Sequence, residues 1–234
     1  MKIEYRKWDS EFFNFKIGSL NITDKSLEDI YRISSIQAKE NYDLLYIFSE
    51  NYNTGLNKEL YKTGAILIDK KVTYHKPISG TSITNETVKA YSGWITEELE
   101  ELAYESGHKS RFKLDPRLNH KFKEMYKLWL ENSLNGKMAD RVFITKEQDK
   151  ISSFVTVKNK QGTGSIGLIA VSKQYQGKGI GKLLLDKTEE WYFNNGIIHA
   201  EVVTQLDNTG ACRFYERNGY TVKNVQYIYH LWRR

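Results

Sequence analysis

Residues 174–191 read QYQGKGIGKLLLDKTEEW. Gly177, Gly179 and Gly181 alternate with Lys178 and Ile180, and a leucine-rich helical segment follows at once. Glycine is a poor helix former, yet here it stands where a helix should begin. The preceding residues 165–171, SIGLIAV, have little polar interruption and predict a strand buried on both faces. A strand, a glycine-rich loop and a helix in that order suit phosphate. The first N–H groups of a helix lack partners and carry partial positive charge, and glycines let an anion come close to them.

Several phosphate loops share that outline, and the spacing separates them. A Walker loop needs four residues before its Gly-Lys-Ser/Thr. Here the interval from Gly177 to Gly181 is one residue short, and Leu183 follows Lys182 where a metal-binding hydroxyl would stand. A dinucleotide fingerprint needs G-x-G-x-x-G, whereas this loop is G-x-G-x-G. A G-x-G-x-x-G does occur at Gly162, Gly164 and Gly167. It lies in a hairpin turn before a strand, not before a helix, and is a chance match. What remains is Q-G-K-G-I-G over Gln176–Gly181, of the type Q/R-x-x-G-x-G/A.

That segment resembles the acetyl-CoA loop of the GNAT superfamily of N-acetyltransferases. A second segment carries the resemblance further: residues 208–220, NTGACRFYERNGY, resemble the family's N-x-x-A-x-x-[LF]-Y-x-x-x-G-[FY]. Asn208, Ala211, Phe214, Tyr215, Gly219 and Tyr220 fall on its marked positions, and one strand, residues 200–205, separates the two motifs. The resemblance implies an α/β fold with a mixed central sheet flanked by helices. It also implies acetyl-CoA as cosubstrate, with no metal. Gln176, Gly177, Lys178, Gly179, Ile180, Gly181 and Lys182 would hold its pyrophosphate. Ile169, Ala170 and Val171 would pair through their backbone with its pantetheine arm, with N–H groups around Ala170–Val171 polarising the acetyl carbonyl. Asn208 and Ala211 belong to the same site. Tyr215 would protonate the departing thiolate. From the residues alone, Asn208 is equally a helix N-cap and Tyr215 equally a core residue on the Ala211–Phe214 face.

Working outward, residues 1–78 alternate strand and helix signals and read as a smaller N-terminal β/α domain. Ser26 with Asp29 suits the start of its first long helix. Residues 79–96, rich in Ser, Thr and Gly, read as a linker, and residues 97–234 as the catalytic domain. Within the latter, EELEELAYES is a helix with acids in its first turn. Phe122, Met125, Tyr126, Trp129 and Leu130 mark a stronger one. Residues 141–172 read as three strands joined by EQDK and NKQGTG. Ile180, Leu183, Leu184 and Trp191 form the stripe of the helix after the loop, which Gly196 ends. Two short strands close the chain.

WDSEFFNFKIGSL near the N-terminus, SGHKSRFKLDPR, and YKLWLENSL resemble those GNAT enzymes that acetylate nucleotide-linked amino sugars. This implies a dTDP-4-amino-4,6-dideoxyhexose as acceptor, with Lys109, Arg111 and Phe112 as contacts. A surface loop whose Arg111 and Phe112 pack onto the core is the other reading. Another small amine, a protein N-terminus, or non-catalytic acetyl-CoA binding are the alternative functions. The strand before the loop lacks the carboxylate that many relatives use as a base.

The bulk properties fit a cytoplasmic globular protein. The chain has 234 residues, 40% hydrophobic and 27% charged, with two prolines and one cysteine. Cys212 excludes an internal disulfide and fits a reducing compartment. No apolar run is long enough for a signal peptide or a membrane span. The net charge of +6 attracts anions, and Lys and Arg are dispersed rather than clustered. No helix-turn-helix, zinc or RNP pattern supports a nucleic-acid partner. A homodimer through the C-terminal strands rests on family resemblance only.

Overall fold

The structure, a computed structural model, describes residues 2–22, 27–50, 52, 54–80 and 86–233. The capping position assigned to Ser26 lies outside the described residues. Ten strands and eight α-helices are present among the described residues. The chain divides into two compact units.

The first comprises Met1–Val72, Gln205–Asp207 and Asn224–Arg234. It contains β1 (Glu4–Tyr5), α1 (Lys7–Phe13), β2 (Ile17–Ile22), α2 (Leu27–Lys39), β3 (Leu44–Ser49) and α3 (Thr54–Thr63). The start of β4 (Ile66–Pro77) and most of β10 (Thr221–Trp232) belong to it as well. The strand order is β1-β2-β3-β10. β2 and β3 are parallel over their whole length, from Ile17↔Leu44 to Ile22↔Ser49, and β10 runs antiparallel on the far side of β3. Leu20, Ile22, Ile30, Ile33, Leu45 and Ile47 form its core. The sequence division at residue 78 assigns the last eleven residues to the other domain. In the structure they pack with the first unit because β10 pairs with β3. The two closing strands expected from the sequence are this one continuous strand.

The second unit comprises Thr73–Thr204 and Asn208–Lys223. Its elements are the rest of β4, β5 (Lys89–Ala90), α4 (Glu97–Ser106), α5 (Arg111–Leu114), α6 (Phe122–Leu134), β6 (Arg141–Glu147), β7 (Lys150–Lys160), β8 (Thr163–Val171), α7 (Ile180–Asn194), β9 (His199–Gln205) and α8 (Thr209–Arg217). The order is β4-β9-β8-β7-β6-β5. Thr96 caps α4 by accepting from the Leu99 N–H at 3.4 Å, and Glu97, Glu98 and Glu100 complement its positive end. Two-residue turns set the hairpin register. Gln148 and Asp149, then Gln161 and Gly162, all have positive φ, as a turn matching the right-handed strand twist requires.

Two expectations need correcting. β7, not β8, is the strand buried on both faces: Ile151 to Val157 are all buried. α4 and α7 both pack against β7. In β8 buried positions alternate with open ones, Gly167 being exposed and Ile169 and Val171 half-buried. An apolar run reports a preference for dry surroundings, not which neighbour supplies them. The buried stripe of α7 is Ile180, Leu184, Leu185, Thr188 and Tyr192, with Leu183 and Trp191 only half-buried. Tyr192 lies against Gly164, where any Cβ would stand 2.7 Å from the ring.

Candidate active site

β8 is paired on both sides only in its first half. Its parallel ladder with β9 runs from Thr163↔His199 to Ile166↔Val202 and stops there. On the other side β7 stays with it to Ser153↔Val171. The ladder to β7 is irregular between Val155 and Val157, and the Thr156 hydroxyl accepts the Leu168 N–H at 2.8 Å. Gly167 is needed at that irregularity, because a Cβ there would lie 2.8 Å from the Thr156 hydroxyl.

Strand geometry then fixes which backbone groups are bare. N–H groups alternate sides along a strand. The Leu168 N–H points to β7, and the Ser172 N–H donates to the Ser152 carbonyl at 2.8 Å on the same side. Ala170 therefore also turns its N–H to β7. Ile169 and Val171 turn theirs to the opposite edge, which β9 has left. Among the described residues these N–H groups have no partner. A half-buried edge of this kind is open to pairing with an incoming extended chain.

The loop begins where that edge ends. After a single turn of 3₁₀ helix at Lys173–Tyr175, Gln176 is extended and its Nε2 donates to the Val171 carbonyl at 2.9 Å. Gly177 and Gly179 have φ of +75° and +82°, a region that L side chains avoid. A Cβ on either would meet nothing within 4 Å, so the glycines serve backbone shape and leave open space. From Gly177 to Gly181 no backbone N–H donates to protein among the described residues, and Gly179 caps α7 without any side-chain bond. Five consecutive N–H groups at a helix start form an anion cradle. A diphosphate is the kind of group such a cradle suits. Of the lysines, Lys182 is held by Asp186 at 2.7 Å, and the Lys178 ammonium lies 5.0 Å over the Tyr175 ring.

Gly181 is where three elements meet. A Cβ there would lie 3.1 Å from the Phe214 ring and 3.8 Å from Val171 Cγ2. The cradle, the end of β8 and α8 thus converge on one point. Asn208 caps α8, its Oδ1 accepting from the Ala211 N–H at 3.3 Å. Tyr215 follows Phe214, is 3% exposed, and packs between Tyr74 and Tyr220, each with ring centroids 5.8 Å away. Burial first, and then the neighbouring Cys212, push its hydroxyl well above the ordinary tyrosine range, so it stays protonated. Tyr74 donates to Glu216 at 2.7 Å, tying β4 to α8.

The remaining sequence candidates lie elsewhere in this unit. Lys109, in the turn from α4 to α5, and Arg111, the first residue of α5, are half-buried. The Arg111 guanidinium lies 4.3 Å over the Phe112 ring, which is itself buried edge-on against Trp129 at 6.0 Å. The turn adjoins the loop: Glu105 near the end of α4 pairs with Lys173 at 3.4 Å. Glu201, a carboxylate on the neighbouring β9, is held by Lys223 at 2.5 Å. Sequence reading singled out Gln176 for the loop but not its clasp on Val171, and gave no role to Gly167. The chance glycine triplet was the only signal at Gly167. Among the described residues no group of His, Cys, Asp and Glu is arranged to hold a metal, and no helix is long and apolar enough to cross a membrane.

Comparison with known proteins bears on the fold and the family. A solved GCN5-related N-acetyltransferase from Sphaerobacter thermophilus superposes with a TM-score of 0.62 at 14% identity, covering 100% of this chain and 76% of that one. By sequence, the dTDP-fucosamine acetyltransferase of Escherichia coli O6:H1 is 24% identical over 231 residues, 96% of each chain. The spore coat polysaccharide biosynthesis protein SpsD of Bacillus subtilis is 32% identical over 138 residues, 58% of this chain. This chain spans about half of that relative's length, 47%. The model of the acetyltransferase (GNAT) family matches residues 97–220, more than half the chain and nearly all of the convergence around Gly181. The chain therefore belongs to the GNAT family of acetyltransferases.

Proposed function

We propose that the protein transfers acetyl from acetyl-CoA to the amine of a nucleotide-linked amino sugar, of the dTDP-4-amino-4,6-dideoxyhexose class, by direct attack with both substrates bound. The observation that carries the transfer is the bare edge at Ile169 and Val171 running into the cradle of Gly177–Gly181. When bound, acetyl-CoA supplies an activated acyl group on a good leaving thiol. The backbone of Gly177–Gly181 holds its diphosphate, with Gln176 fixing the loop. The edge of β8 pairs with its extended arm, and the Val171 N–H polarises the carbonyl. Ala170 braces that edge from the β7 side. Tyr215, protonated and buried, gives its proton to the leaving sulfur.

The acceptor class draws support from the name of the relative that matches over its full length. Lys109 and Arg111, in the turn beside Lys173, are suited to a diphosphate. Phe112 supports Arg111 from below rather than meeting the base directly. The test is thiol release from acetyl-CoA with dTDP-amino sugars as acceptors. Turnover with a 4-amino-4,6-dideoxyhexose is expected, and failure with every nucleotide sugar would overturn the acceptor assignment while leaving the transferase intact.

A further inference from the structure

The reaction needs a base. An amine at neutral pH is largely ammonium and must lose a proton before it can attack. The strands against which α4 packs offer none: residues 151–157 of β7 and 166–171 of β8 contain no titratable side chain. The turn after α4 does. His108 Nδ1 lies 2.7 Å from the Glu105 carbonyl oxygen. A carbonyl only accepts, so Nδ1 carries the hydrogen, and in the neutral ring Nε2 is left with a bare lone pair. Nε2 has no protein partner among the described residues. The ring is half-buried, and its turn is held beside the end of β8 by the Glu105–Lys173 pair. Gly107, just before it, is pressed against the Tyr126 ring so closely that no side chain fits, which fixes the turn.

We infer that His108 is the general base that deprotonates the acceptor amine, an inference resting on the acetyl-transfer reading above. Its Nε2 takes one proton from the ammonium and passes it to water. The freed nitrogen bonds to the acetyl carbon as the carbon–sulfur bond breaks. The sulfur takes the Tyr215 proton, and the second proton leaving the nitrogen restores the tyrosine. The charged and titratable groups on and against the His108 turn are Glu105 and Lys109 on its own segment, Lys173 paired with Glu105, Arg111 at the start of α5, and Tyr126 of α6 against Gly107. Glu105 and Lys173 neutralise one another.

The test compares wild type with His108→Asn and His108→Gln. Both variants retain a donor for the Glu105 carbonyl, and neither has a titratable lone pair. Each is assayed on whichever primary amine the wild type acetylates, nucleotide sugar or other. For a base, both lose about 10²-fold in kcat/KM at pH 7. The acidic limb of the wild-type profile moves up to the amine's own ionisation, so that raising the pH restores the rate. Acetyl-CoA affinity is unchanged. A residue that only caps α4 would be rescued by Asn, and a wild-type pH profile in the variants overturns the inference. Independently of turnover, diethyl pyrocarbonate should acylate His108, mapped by mass spectrometry. Acceptor with CoA should slow that reaction at least tenfold, and no protection by the amine that is turned over also overturns the inference. If nucleotide sugars fail but another amine shows this pattern, the base stands and the sugar assignment falls.

Discussion

The two parallel strand pairs of the molecule behave differently. In the first unit β2 and β3 remain zipped from Ile17↔Leu44 to Ile22↔Ser49, and every side chain of β3 except Phe48 is buried. In the second, β8 and β9 part after Ile166↔Val202, while β7 follows β8 to its end. Both pairs are apolar and both lead towards a helix. One spends all of its backbone groups on itself and makes core. The other leaves two N–H groups unspent, one short turn before five more in the loop, and that surplus is the proposed site. In a parallel sheet, function sits where pairing stops.

Proline tests that distinction most harshly. Ile47 lies in the zipped pair, between Leu20 and Tyr229. Ile47→Pro removes a ladder bond inside a central strand. The expected loss exceeds about 3 kcal/mol of a total near 5–15, leaving no cooperative melting of the first unit by circular dichroism. Val171→Pro removes an N–H that no protein group uses. It should fold normally, yet lose about 10²–10³ in kcat if that N–H polarises the carbonyl. Equal unfolding of the two variants would break the comparison.

Tyr215→Phe keeps the ring packed between Tyr74 and Tyr220 and deletes only the hydroxyl. Turnover should fall about 10²–10⁴-fold with acetyl-CoA affinity, measured by calorimetry, unchanged. The raised ionisation of Tyr215 has a further sign. Its hydroxyl keeps its proton past the ordinary tyrosine value of 10.0, so kcat should show no decline from this group as pH rises to about 10. A basic limb that disappears in Tyr215→Phe would contradict its burial.

The cradle is tested by Gly179→Glu, which places a carboxylate in the open space and strains a φ of +82°. CoA affinity should drop at least about 100-fold, from charge repulsion together with the lost helix-end attraction. Lys182→Ala should do least. Its ammonium is already bound to Asp186 in an exposed i,i+4 pair worth about 0.3–0.5 kcal/mol. CoA affinity should change less than about threefold, and a large loss would move the anion site from backbone to side chains.

These regions differ too in how far the sequence foretold them. The cradle was legible because Gly177 and Gly179 have a local meaning: positive φ before a leucine-rich helix restricts the possibilities to a few loops. Asn208 and the hairpin turns were legible for the same reason. The parting of β8 from β9 was not, because it depends on a pairing between segments more than thirty residues apart. The apolar run SIGLIAV looked like buried core and proved half-open. The face of α7 was misjudged by one position because Tyr192 and Thr188, polar-tipped residues, are buried whereas Trp191 is not. The pairing of Glu105 with Lys173, which brings the turn of His108 to the loop, comes from tertiary packing, although a histidine following glycine at a helix end is a recognisable capping pattern.

The clasp between Gln176 and the Val171 carbonyl has a mechanical consequence. It ties the loop to the strand end and so narrows how far the span from the anion cradle to the bare Val171 N–H varies. The pair then acts as a ruler. Under the proposed function, a donor must have its negative charge and its acyl carbon separated by that span, and shorter or longer carriers register one end only by giving up the other. Selectivity for the carrier would then be written as a length, set by the backbone and the Gln176 clasp.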